Sequence, residues 1–66
     1  MTKILIIVPV YNEEGNIEPL INNIFKYFTK DKTVLFIDDN SIDKTRLEIK
    51  KCQKKYKKIY QIKRKS

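Results

Sequence analysis

Two pairs of adjacent carboxylates, Glu13-Glu14 and Asp38-Asp39, each follow a short apolar run in this chain of 66 residues. Ile4 to Val8 precede Pro9-Val10-Tyr11-Asn12 and the first pair; Val34 to Ile37 lead directly into the second. Carboxylates gathered at one edge accept charge-assisted hydrogen bonds from N–H and hydroxyl groups. An aromatic neighbour such as Tyr11 adds a flat apolar surface. That combination suits a ligand rich in hydroxyl and N–H groups and repels bare phosphate. Other chemistries are absent by composition. With no His and one Cys, the chain has no Ser-His or Cys-His dyad, no internal disulfide and no multi-cysteine metal site. A lone Cys is compatible with a reducing compartment, and Cys52 reads as a small core residue.

These acids need elements to hold them. The first strand is expected over residues 3–8, ended by Pro9, which removes a ladder donor. Residues 10–15 form a loop to which Gly15 lends flexibility. Asn16 then caps a helix in which Pro19 falls at the third position, where its missing N–H has no partner to lose. Ile17, Leu20, Ile21, Ile24 and Phe28 recur at helical spacing. The second strand spans 33–38, an apolar run bounded by turn residues, as in strands covered on both faces. Ser41 or Asp43 caps a second helix reaching about Tyr56, with Ile49, Cys52 and Tyr56 on one side and Leu47 off that stripe. Residues 59–63 make a third strand. The order β-α-β-α-β implies an α/β fold with a parallel sheet and right-handed crossovers. Such sheets bind ligands at the carboxyl ends of their strands, where both acidic pairs lie. Asp38 and Asp43 have an alternative role as caps of the second helix, and Asn12 as a turn former.

If sequential strands are neighbours, both helices cover one sheet face and the other stays bare. The chain is therefore expected to be the first part of something larger, and in isolation to expose an apolar sheet face and be weakly folded or self-associating. A domain of this size buries only about 60% of its unfolded surface. The net charge of +7 is uneven: residues 1–43 carry four Lys against seven acids, and residues 44–66 carry eleven basic residues against Glu48 alone. Such asymmetry marks either a solvated helix face or an anionic partner; thirteen of the fifteen basic residues are Lys, whereas phosphate forks favour Arg. No apolar run approaches the roughly 20 residues of a membrane span, and no signal-peptide pattern is present, so a cytoplasmic location is expected.

Val8-Pro9-Val10-Tyr11-Asn12-Glu13-Glu14, followed by Asp38-Asp39-Asn40-Ser41-Ile42-Asp43-Lys44-Thr45, resembles the opening of the family 2 glycosyltransferases. Within them it is most similar to the dolichyl- or polyprenyl-phosphate sugar (mannosyl) transferases. Lys44 and Ile42 depart from the common pattern at positions that do not face the ligand. The resemblance implies a Rossmann-like half of a GT-A fold, residues 1–66 being the N-terminal, nucleotide-sugar-binding part of an incomplete domain. Carried over position by position, Pro9, Tyr11, Glu13, Ile37 and Asp39 line the nucleotide pocket. Asp39 would accept the imino N–H of uracil or guanine, and Glu13 the ribose hydroxyls. The implied donor is a GDP- or UDP-sugar. The implied acceptor is one such as polyprenyl phosphate, which would bring the protein to the cytoplasmic membrane face; no nucleic acid is expected. Mg or Mn is expected for the complete enzyme, held by an Asp-x-Asp motif beyond the third strand. Neither that motif nor the carboxylate base is present here, so this segment alone is expected to bind no metal, to bind nucleotide weakly and not to catalyse transfer.

Other readings fit less well. A dinucleotide-binding unit would need Gly-x-Gly-x-x-Gly after the first strand, and a receiver-like domain would place its paired acids there. A non-enzymatic basic module binding nucleic acid or anionic membrane through residues 44–66 is the alternative from a different class.

Overall fold

The computed structural model describes residues 3–64 and follows the expected order: β1 (Ile4–Val10), α1 (Ile17–Tyr27), β2 (Lys32–Asp38), α2 (Thr45–Lys55) and β3 (Ile59–Lys63). The strands form one parallel sheet in the order β1-β2-β3, with Pro9 opposite Ile37 and Ile37 opposite Ile62. This is an α/β, Rossmann-like arrangement with a three-stranded parallel sheet.

Alternation along the strands separates two faces. One carries Val10, Val34, Phe36 and Ile59, which pack with Ile17, Ile21 and Ile24 of α1 and Ile49 and Cys52 of α2 into the core. The other carries Leu5, Ile7, Tyr60 and Ile62, each more than half exposed. Both helices thus lie on one side and leave the opposite face bare, as the crossover argument requires.

Four expectations are corrected. Pro9 does not end β1, which continues to Val10. The Ile4 N–H bonds the Asp31 carbonyl, and the Val10 carbonyl accepts from Asp39. Even-numbered residues therefore face β2, and the N–H that Pro9 lacks falls on the free edge, where proline is tolerated. Second, the buried stripe of α1 is narrower than the periodicity suggested: Leu20 and Phe28 are exposed, and Phe28 lies past the last helical turn. Phe25 is used instead, stacked on Tyr56 of the segment after α2 with ring centroids 4.2 Å apart. Third, Asn16 occupies the N-cap of α1 but its side chain makes no cap bond; its amide donates to the Glu13 carboxylate at 3.0 Å. Fourth, neither Ser41 nor Asp43 is the N-cap of α2, which is Lys44. Asp43 still serves the helix start from one residue earlier, accepting the Thr45 N–H at 2.9 Å.

Candidate functional site

The β1–α1 and β2–α2 loops meet at the carboxyl edge of the sheet and are fastened by hydrogen bonds between distant residues. Four successive backbone N–H groups of the first loop donate to side chains of the second segment. Asn12 donates to Ser41 Oγ at 2.9 Å, Glu13 to Thr45 Oγ1 at 2.8 Å and Glu14 to Asp43 Oδ2 at 3.1 Å. Gly15 donates to both oxygens of Glu48, at 2.8 and 3.0 Å. The exchange is reciprocal. Ile42 N–H donates to Asn12 Oδ1 and Lys44 N–H to Glu14 Oε1, both at 3.0 Å. Positive φ at Asn12 (48°), Gly15 (87°) and Asn40 (66°) turns the backbone into these positions. Asn12 is accordingly the turn former the sequence suggested.

The lattice decides which acids remain for a ligand. Asp38 is fully buried; it accepts the Ser41 N–H at 3.2–3.3 Å and the Ser41 hydroxyl, and Arg46 Nε lies 3.6 Å away. It closes the Asp38–Ser41 loop rather than capping α2. Asp43 accepts from the Thr45 hydroxyl and amide and from the Glu14 amide. These bonds, the Thr45 hydroxyl foremost, hold its carboxyl below the ordinary value against desolvation. Glu14 and Glu48 are likewise engaged by backbone N–H groups. Asp39, the residue just past β2, continues the alternation through its N–H bond to Val10 and points to the opposite face from Asp38.

Pro9, Tyr11, Glu13, Ile37 and Asp39 are brought together. With Val10 and Arg64 they line an open pocket of 360 Å³ at the carboxyl ends of β1, β2 and β3. Tyr11 is 56% exposed. The Asp39 amide is fixed on the Val10 carbonyl at 2.9 Å, which ties the second strand end to the first, and its carboxylate meets Arg64 Nε at 3.3 Å. Ile42 and Lys44 lie outside this lining. A wider concavity of 490 Å³ lies between the helices, lined by Gly15, Glu18, Pro19, Asn22, Glu48 and Lys51. It is away from the strand ends, and Glu48 there is committed to Gly15, so the smaller pocket is the better candidate.

Sequence reasoning missed Arg64 and Glu48. Arg64 follows β3, and its N–H is anchored to the Asp38 carbonyl at 2.7 Å; the strand-end rule that singled out Asp39 applies equally to it. Glu48 gave no comparable signal, since an acid in a first helical turn ordinarily serves its own helix dipole. Cys52 is buried in the core, where burial pushes its thiol pKa up, as expected of a packing residue.

The family profile described as Glycosyl transferase family 2 matches residues 5–66. No curated protein and no solved structure matches the chain.

Proposed function

The chain belongs to glycosyl transferase family 2, and we propose that its pocket holds the nucleotide of a GDP- or UDP-sugar donor, with a polyprenyl phosphate as the acceptor class. The observation that carries this reading is the convergence of Pro9, Tyr11, Glu13, Ile37 and Asp39 on one pocket at the carboxyl edge of a parallel sheet. Asp39 accepts a base imino N–H, Glu13 accepts ribose hydroxyls, and Tyr11, Pro9 and Ile37 supply apolar surface. The segment binds and orients the donor; transfer draws on groups outside it. Among the described residues no three His, Cys, Asp or Glu side chains cluster to hold a metal. The Mg or Mn that the family implies therefore does not fit the described residues. Glu48, the only acid after Asp43, is occupied by the Gly15 amide and does not serve as a base. No described helix is long and apolar enough to cross a membrane, and a cytoplasmic protein meeting its lipid acceptor at the membrane face is the location that fits this proposal.

The test is an amide NMR titration of the 15N-labelled chain with UDP and GDP. Shifts clustered at Tyr11, Glu13, Ile37 and Asp39 support the reading, and the stronger ligand identifies the base. Asp39→Ala should weaken binding about tenfold to a hundredfold, the worth of a hydrogen bond to a charged group. Unchanged affinity removes Asp39 from the site, and a spectrum unmoved by either nucleotide removes the proposal.

A further inference from the structure

The outer face of α2 presents an exposed leucine ringed by cations. Leu47 is 59% exposed, and Ile42, in the loop just before the helix, is 86% exposed. Two concavities share Leu47 as a wall: one of 380 Å³ with Lys44, Lys50, Lys51 and Lys54, the other of 480 Å³ with Arg46, Lys50 and Lys63. None of these lysines makes an ion pair among the described residues, whose ion pairs join Arg46 to Asp38, Lys58 to Asp31 and Arg64 to Asp39. Helical spacing places Leu47, Lys50, Lys51 and Lys54 on one side, opposite the buried Ile49 and Cys52. Glu48 and Asp43 also border these concavities, but their carboxylates accept the Gly15 and Glu14 N–H groups, and the face keeps a strong net positive charge with apolar side chains at its centre and margin.

We propose that this face of α2 docks on an anionic lipid bilayer, its lysines against headgroups and Leu47 and Ile42 in the interfacial layer. Three observations favour lipid over nucleic acid. Exposed aliphatic side chains gain by entering a bilayer interface and have no counterpart on a sugar–phosphate backbone. The tyrosines near the lysines in sequence are not stacking platforms on this face: Tyr56 is stacked on Phe25 and bonded to Asn22, and Tyr60 lies on the bare sheet face. The only arginine of the patch is drawn towards the buried Asp38, leaving lysines, compact point charges suited to headgroups rather than to bidentate forks. The surface is separate from the nucleotide pocket, so a failure of vesicle binding and a failure of nucleotide binding are distinguishable.

Co-sedimentation of the full chain with phosphatidylcholine vesicles, with and without phosphatidylglycerol, tests the proposal. Binding should require the anionic lipid. Lys50→Gln/Lys51→Gln/Lys54→Gln should lower it about a hundredfold, at about fivefold per lysine near an anionic surface. The charge-matched control Lys3→Gln/Lys26→Gln/Lys30→Gln should lower it much less, and Leu47→Gln alone about fivefold. Equal loss in both triple variants, or no preference for phosphatidylglycerol, overturns the proposal. Leu47→Gln without effect, together with displacement of vesicles by RNA, overturns it in favour of a nucleic-acid surface.

Discussion

Replacing Thr45 by Val probes the fastening of the two loops at its most buried point. Thr45 is fully buried, and its hydroxyl accepts the Glu13 N–H at 2.8 Å while donating to Asp43. Valine keeps the shape and removes both bonds, leaving the Glu13 amide without its partner. A buried donor left unsatisfied costs about 1–3 kcal/mol, whereas the extra methyl returns less than about 1 kcal/mol. The net loss, about 1–2 kcal/mol, is large against the roughly 3–10 kcal/mol available to a domain of this length. Thr45→Ser is the matched comparison: it retains the hydroxyl and loses one methyl group, about 1 kcal/mol or less with little cavity. Urea unfolding followed by circular dichroism should show the midpoint of the Val variant lower by about 1–2 M, given a slope near 1 kcal/mol/M, and below that of Ser. Because Glu13 lines the pocket, the Val variant should also shift the Glu13 amide resonance and weaken nucleotide binding. If Val is as stable as Ser or more so, the hydroxyl is not what holds the loops, and the hydrogen-bonded lattice is not the reason these residue types stand here.

Three further outcomes follow from the geometry. Arg64 is the only cation lining the pocket among the described residues, so Arg64→Ala should weaken UDP or GDP binding about fivefold, the scale of one exposed charge interaction, and spare the corresponding nucleoside; equal loss for both in calorimetric titrations refutes an electrostatic role. Asp43 and Asp31 have folded pKa values below their ordinary 3.8, Asp43 through Thr45 and Asp31 through Lys58. Their contribution to stability is present above that value and lost as pH falls through the depressed one; acid unfolding should therefore steepen below about pH 4, and Asp43→Asn should flatten that limb while lowering stability at neutral pH. An acid limb identical in the variant would show that Asp43 is not part of it. The bare sheet face predicts concentration-dependent self-association by analytical ultracentrifugation, relieved by Ile7→Glu on its edge strand β1; a wild-type chain that stays monomeric and melts sharply at high temperature contradicts this.

The fold was legible because its signals are local and redundant. Apolar runs of five or so residues, a proline confined to a first helical turn and paired loop acids all called for the same β-α-β-α-β order. What was misread was decided by neighbours rather than by the chain itself. Whether Pro9 ends a strand depends on which edge its nitrogen faces, and that follows from the pairing of Ile4 and Val10 with β2. Whether Leu20 is buried depends on what covers the flank of α1 turned away from α2, since Asn22 and Phe25 are the residues that meet Tyr56. Ser41 and Asp43 have the right chemistry for caps, but the backbone N–H groups they satisfy belong to the other loop as well as to their own.

The same principle divides the candidate site. Residues 12–15 and 38–48 supply six acids, and residue type alone does not say which are ligands and which are structural. The division follows from which acids face backbone N–H groups. Asn12 to Gly15 present four such groups in succession at the start of α1. Left bare, such a row would attract an anion; here two hydroxyls and the carboxylates of Asp43 and Glu48 occupy it. The lattice therefore closes the phosphate site that a dinucleotide-binding unit would use at this position, and it absorbs Asp38, Asp43, Glu14 and Glu48 in doing so or in bracing the loops. Glu13 and Asp39 are left facing the pocket, one bonded to the Asn16 amide and the other to Arg64. Both partners are exposed and can yield to a ligand. A pair of exchangeable acceptors beside a tyrosine ring, at a strand edge stiffened by its own side chains, has the chemistry proposed for hydroxyl and N–H groups rather than for a phosphate at the helix start.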